Sequence, residues 1–274
     1  MKHIKEFIFK LSIIGKVSFF IICFVLLIAL LGENAAVHPA KIPSASALLP
    51  PSSEHWLGTD DLGIDLWGQI CYGARMSVIV GVSTAVLAGL GGGLLGLISG
   101  YHGGKMDRWI MAVTDMMIAL PDLPLMIVLG AFFGPSVKNI ILVLSLFSWT
   151  APARIIRSKV IALKEEKYIK AAESYGASFW YLVWYHFIPE TFPLMAVSFI
   201  RLTSRAITME ASLSFLGLGD PTSKSWGLIL HHAMNFKGIY FTPYWKWWVL
   251  SPLTAILLIV GAFAFMIKEI ERML

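Results

Sequence analysis

From Trp247 to Ile267 the chain runs 21 residues without a charged side chain. At about 1.5 Å per residue, such a run matches the roughly 30 Å hydrocarbon core of a bilayer and reads as a membrane-spanning helix. Five more runs precede it: Val17–Gly32, which Lys16 can lengthen by snorkelling, Met76–Tyr101, Trp109–Gly134, Asn139–Ala153 and Pro193–Gly219. The third is interrupted by Pro121 and Pro124, and the fourth is short but flanked by Lys138 and Arg154. The expectation is therefore an all-α polytopic membrane protein with about six transmembrane helices. Composition agrees, with 57% hydrophobic and 14% charged residues and a mean hydropathy of +0.73, far from soluble usage.

Basic residues then orient the chain. With the N-terminus inside, the inner segments hold Lys2, Lys5, Lys10, Lys16, Lys105, Arg108, Arg154, Arg157, Lys159, Lys164, Lys167, Lys170, Lys268 and Arg272. The outer segments hold Lys41, Lys138, Lys224, Lys237 and Lys246. This asymmetry predicts a multi-pass protein of the cell (inner) membrane with both termini and the 154–188 loop cytoplasmic. Residues 1–75 read as a cytoplasmic tail, a first transmembrane helix and an external linker, and 76–274 as a five-helix core. The linker's Pro/Ser-rich part, from Ala36 to Trp56, has no periodicity and reads as extended, water-exposed chain. The lysine-rich start also fits a secretory signal with a cleavage region at Ala35–Ala36, but a membrane domain follows that needs no removable signal.

Several function classes drop out. The net charge of +5 reports orientation in a membrane chain, so no nucleic-acid partner is expected. Cys23 and Cys71 have no metal or disulfide spacing, and Asp60, Asp61 and Asp65 lack the register of a calcium loop. No metal site and no catalytic residue is predicted, because the histidines are scattered and no nucleophile, base and orienting acid come together. The glycines between Gly89 and Gly100 lie inside a span and lack the Gly-Lys-Ser/Thr ending of a phosphate loop, so they predict close helix packing. With no nucleotide signature and no cofactor in the chain, any ATP that drives it is hydrolysed on another subunit.

The fifth span is the least apolar. Placing Arg201 at zero, Arg205 falls at roughly 40°, Ser198 at 60°, Ser212 at 20° and Thr208 at 340°, while Glu210 lies opposite at roughly 180°. An arginine within a span faces a bundle interior or a wet cavity. The stripe therefore either lines a pathway or pairs with acids on a neighbouring helix, for which Asp115 and Asp122 are available. Tyr240, Phe241, Tyr244, Trp245, Trp247 and Trp248 at the outer end of the last span read as an interfacial belt. His231–Asn235 before them could offer a docking surface.

Lys170–Pro189, KAAESYGASFWYLVWYHFIP, lies between two spans. Ala171, Ala172, Gly176 and Pro189 fall on the pattern Glu-Ala-Ala, three residues, Gly, nine residues, Ile, one residue, Leu-Pro. This resembles the cytoplasmic coupling loop of ABC-importer permeases, with Lys170 in place of the acid and His186 in place of the Ile. Leu57–Gly81 and Glu210–Gly219 followed by Ser225–Gly227 resemble segments of the C-type permeases of the dipeptide, oligopeptide and nickel transport family, in which a His before the loop proline is common. Ile64 stands where that family usually has Arg.

The resemblance covers about residues 57–267 and implies a type I ABC importer permease fold. It further implies a homologous permease partner, two ATPase subunits carrying the ATP, an extracytoplasmic substrate-binding protein, and a substrate such as a peptide, nickel or a metal chelate. Lys170, Ala171, Ala172, Gly176, His186 and Pro189 would couple to the ATPase, the small residues letting a short helix press close to its partner. Asp115, Asp122, Ser198, Arg201, Arg205, Thr208 and Glu210 are the candidate pathway residues. The rival is a secondary transporter or channel working without ATPase subunits, but the chain shows no internal repeat.

Overall fold

A computed structural model of the protein describes residues 11–273, so Lys2, Lys5 and Lys10 of the orientation count lie outside the described residues. Among those residues there are helices and irregular chain but no strand, only an isolated bridge between Thr59 and Asp65. Helix α1, Ile13–Leu31, starts where the Ser12 hydroxyl accepts the Gly15 N–H at 3.1 Å. Helix α2, Leu66–His102, is 37 residues long. It begins well before Met76 because the Asp65 carboxylate accepts the Gly68 N–H at 2.7 Å and caps the helix there. The expected boundary at 75/76 thus falls inside α2.

The third apolar run is broken into α3, Gly104–Ala119, and α4, Asp122–Phe133, which meet at 89°. Pro121 cannot donate to the helix and holds Leu120 extended, with ψ of 139°. Helices α5, Val137–Ser148, and α6, Thr150–Lys164, continue one another. The fourth run is therefore longer than Asn139–Ala153, because Ala153, Ile156, Val160 and Leu163 keep an apolar face at helical spacing and are buried along it. After α7, Lys167–Ser174, and α8, Phe179–Leu182, a π-helical turn at Val183–Phe187 leads into α9, Ile188–Phe215. Helix α10, Trp226–Asn235, the short α11, Trp245–Trp248, and α12, Leu250–Met273, complete the chain.

Residues 13–31, 66–102, 137–164 and 245–273 are long and apolar enough to cross a membrane, and the bent α3–α4 pair adds a fifth if it is counted as one span. The expected count of six is not reached on that criterion. Helix α9 has the length, but Glu190, Arg201, Arg205 and Glu210 interrupt its apolarity.

Packing centres on α2. Gly92, Gly96 and Gly100 recur every four residues on one face and lie directly against the α6 backbone. A Cβ on Gly92 would overlap the Trp149 carbonyl, while one on Gly96 would sit 2.5 Å from the Ala153 oxygen and one on Gly100 2.9 Å from that of Arg157. This is the close packing that the glycine-rich stretch predicts. Another face of α2 meets α9 in antiparallel fashion, with Gly81 against Thr203 and Ile207 and Gly93 against Met195. Two corrections concern the end of the molecule away from the start of α1, here called the upper end. Trp247 and Trp248 are not part of an exposed belt: they are 9% and 1% exposed and pack with Leu66, Ile70, Trp226 and Ile259, because α11 turns them inward. Tyr240 and Phe241 do face outward. The linker is exposed over much of its length yet pinned, since Ser44 and Ala45 donate to the Gly63 carbonyl and Leu48 donates to that of Asp60.

Replacing Gly96 by Val should push α2 from α6 and cost about 1–3 kcal/mol or more of stability. Gly91→Ala, at a position with nothing within 4 Å of its Cβ, is the control. Detergent-resistant yield of the two variants checks this: loss for Gly96→Val alone is expected.

Candidate functional site

At the lower end, where α1 begins, α2 and α6 finish and α9 starts. The intervening segment 165–187 is anchored to them. Ile169, Leu182, Val183 and Phe187 are buried against Leu97, Ile156 and Val160. The Tyr101 ring packs on Phe179 at 4.8 Å and Phe187 at 6.0 Å, and Lys164 Nζ donates to the Tyr101 carbonyl at 2.5 Å. The expected loop 154–188 is therefore shorter, since residues 154–164 belong to α6. Arg157 there donates to Asp107 at 2.5 and 2.7 Å, and Arg154 pairs with Asp115.

The six residues expected to couple lie along this segment. Lys170, on α7, donates to Glu165 at 2.5 Å, and this hydrogen bond holds the Glu165 carboxyl below its ordinary range. Ala171 is exposed and Ala172 half-buried. Gly176 closes α7: its N–H donates to the Glu173 carbonyl at 2.9 Å and that of Ala177 to Ala172 at 3.0 Å, with a Gly176 φ of 83°. No atom lies within 4 Å of its would-be Cβ, so within this chain the glycine is required by backbone conformation and not by space. His186 is half-buried with its ring 5.7 Å from Tyr168, and Pro189 stands exposed in the first turn of α9. Ala172, Tyr175, Gly176, Ala177, Ser178 and Tyr181 line an open depression of about 520 Å³. Tyr175 is 93% exposed, and Trp180, Trp184 and Tyr185 also face outward. The segment is thus fixed on its inner side and unpartnered within this chain on its outer side.

The candidate pathway residues separate into two groups. Arg205 pairs with Asp122, one of the two acids available on the third run. Asp115 does not join them; it pairs with Arg154, and Arg201 pairs with Glu271 of α12. The sequence reading missed Glu271, because α12 approaches α9 only through tertiary packing. Thr208 and Ser212 donate to backbone carbonyls four residues back, both at 2.9 Å. Ser198 and Glu210 face inward instead, 6% and 3% exposed, and Ser214 donates to the Glu210 carboxylate at 2.6 Å. The burial of Glu210 follows from its position opposite the arginines.

The motif residues of the upper end prove architectural. Asp60 accepts the N–H groups of Leu62 and Ile64 at 2.9 Å and Gln69 Nε2 at 2.7 Å, while His55 Nδ1 lies 2.8 Å from the Asp65 that caps α2. Trp226 Nε1 donates to the Ile70 carbonyl at 2.9 Å, tying α10 to α2. Among the described residues no group of three or more His, Cys, Asp or Glu could hold a metal.

A helical membrane domain with an anchored amphipathic segment exposed at one end has the architecture of a transport permease. Residues 92–270 match the family described as binding-protein-dependent transport system inner membrane component, and the chain belongs to that family. It is 34% identical over 245 residues, 89% of this chain and 80% of the relative, to a probable D,D-dipeptide transport system permease protein of Escherichia coli K12. It is 35% identical over 255 residues, 93% and 82%, to a dipeptide transport system permease protein of Alkalihalophilus pseudofirmus. A glutathione transport system permease protein of Pectobacterium atrosepticum is 37% identical over 186 residues, 68% and 62%. The protein is thus a multi-pass ABC-importer permease of the inner membrane, a transport subunit and not an enzyme, working with ATPase and binding-protein partners.

Removing one partner of Arg205–Asp122 orphans the other. At 38% and 26% side-chain exposure the loss should be about 1–3 kcal/mol, below that of a fully buried pair. Arg205→Leu should lower the membrane yield and Asp122→Asn should restore it, whereas Asp115→Asn should not. Immunoblots of membranes from the double variants check this.

Proposed function

We propose that this chain is one half of the translocation pathway of an ATP-driven importer of peptides or a related small solute, paired with a homologous permease. Two ATPase subunits, which bind the ATP, dock at the lower end. A substrate-binding protein docks at the upper end. The termini and the 165–187 segment are cytoplasmic, in keeping with the excess of basic residues at the lower end. One observation carries the reading: the 165–187 segment is clamped to α2, α6 and α9 on one side and open on the other. Such a segment transmits a push as a rigid lever, so ATPase closure at its outer face moves α6 and α9 together and converts the pair between inward-open and outward-open states. Peptides are favoured as cargo because the relatives described above are permeases for dipeptides and glutathione.

Purification of the tagged chain from its native membrane tests the assembly. Co-purification of a second permease and two ATPase subunits supports it, and a lone chain that transports on reconstitution overturns it.

Gly176 gives a sharper test. Leucine there must hold a left-handed backbone, at about 1–2 kcal/mol, whereas asparagine tolerates it. Gly176→Leu should insert normally yet lose peptide uptake while ATP hydrolysis continues, and Gly176→Asn should keep most uptake. Equal loss in both would mean that the partner requires the bare backbone.

Orientation is tested by cysteine labelling with Cys23 and Cys71 removed. Positions 167 and 222 are exposed, whereas Lys164 is half-buried. An impermeant external reagent should reach a cysteine at 222 and miss one at 167.

A further inference from the structure

Helix α9 is sided in a way that lipid does not explain. Leu202, Ala206, Leu213 and their neighbours are buried, while Arg201, Ser204, Arg205, Thr208 and Ser212 form an exposed or half-exposed stripe at three- and four-residue spacing. Charged side chains turned to hydrocarbon cost several kcal/mol, so this face looks onto water or another polar surface. The hydroxyls of Thr208 and Ser212 are satisfied by their own helix. The charged members differ in shielding. The Arg201–Glu271 side chains are 53% and 43% exposed and those of Arg154–Asp115 48% and 63%, against 38% and 26% for Arg205–Asp122. Water and salt weaken the outer two most, and the Arg205 pair least.

Position adds to this. Arg205 lies about 26 Å along α9 from its start, in the interior of this 28-residue helix and away from both of its ends. Asp122 is the first residue of α4, immediately after the 89° break in the third crossing. The pair therefore joins a bent span to the polar stripe, and each partner keeps an open side.

We propose that Arg205 and Asp122 form a charge-reading site for solutes that carry both a carboxylate and an ammonium group. The inference rests on the peptide-import reading above, since a short peptide with free termini has both charges. As it passes, its carboxylate takes the Arg205 guanidinium, where bidentate geometry is available, and its ammonium takes the Asp122 carboxylate. One internal ion pair is exchanged for two intermolecular ones, so no charge is left unpaired at any stage, and no covalent bond changes. A solute without these charges has nothing to offer the pair and must leave it closed or break it uncompensated.

The test uses the whole transporter with its ATPase subunits and binding protein in proteoliposomes, with uptake of dialanine compared with that of N-acetyl-dialanine amide, which has neither charge. The Arg205→Gln, Asp122→Asn double variant removes both charges and orphans neither. It should assemble as the wild type does, yet lose about tenfold in dialanine uptake, as expected for loss of a charge-assisted contact, and lose the preference for dialanine. Should that variant fail to assemble, Arg205→Lys serves: it keeps the charge but not the fork, and should raise the KM for dialanine severalfold at unchanged turnover. Wild-type selectivity in the double variant, or an unchanged KM in Arg205→Lys, overturns the proposal and leaves the pair a structural tie. A wild-type transporter that hydrolyses ATP with its binding protein but accumulates no dialanine overturns the peptide reading, and this inference with it.

Discussion

The close approach of α2 to α6 is the contact on which the rest of the molecule depends. Gly92, Gly96 and Gly100 bring the α2 backbone against the carbonyls of Trp149, Ala153 and Arg157, a separation that admits no side chain between the two helices. In lipid, apolar side chains gain little by leaving one hydrocarbon environment for another, so helices associate through dispersion at close range and through polar contacts. Once α2 and α6 are in register, Arg157 meets Asp107 at the start of α3, and Lys164 reaches the last turn of α2. Nearer its start, α2 then holds α9 through Gly81.

The two ends of this core are finished differently. The upper end combines an apolar cluster around Trp226, Trp247 and Trp248 with short-range polar contacts. Asp65 caps α2, Asp60 gathers backbone N–H groups and Gln69, and Trp226 hangs α10 on the Ile70 carbonyl. The lower end is closed by an apolar cluster under the 165–187 segment, and its outer face is left with aromatic side chains and the Gly176 turn. The segment is thus held on its inner side and open on its outer side. The α9 stripe and the broken third crossing lie between the two ends.

The six apolar or amphipathic runs, the break at Pro121 and the small-residue face of α2 were legible in the sequence, because each depends on local composition or helical periodicity. The spacing of Ala171, Ala172, Gly176 and Pro189 also marked out the segment between the fourth and fifth runs. Helix ends were less legible. Helix α2 starts at an Asp65 cap inside a stretch that reads as linker, and α6 runs on to Lys164 because its buried face is apolar while the exposed face is charged.

Pairing was decided by tertiary structure alone. Sequence made Asp115 and Asp122 available to arginines on another helix, but which acid meets which base depends on the crossing of α3, α4, α6, α9 and α12. That geometry gives Asp122 to Arg205, Asp115 to Arg154 and the unforeseen Glu271 to Arg201. It also turns Trp248 into the core and Glu210 away from the open stripe. Sequence by itself determined that this chain spans a membrane as helices and carries an amphipathic segment between two of its spans, since hydropathy and spacing are properties of consecutive residues. Which side chains are buried, paired or left open was decided only when helices distant in sequence packed together, because burial and ion pairing are properties of distance.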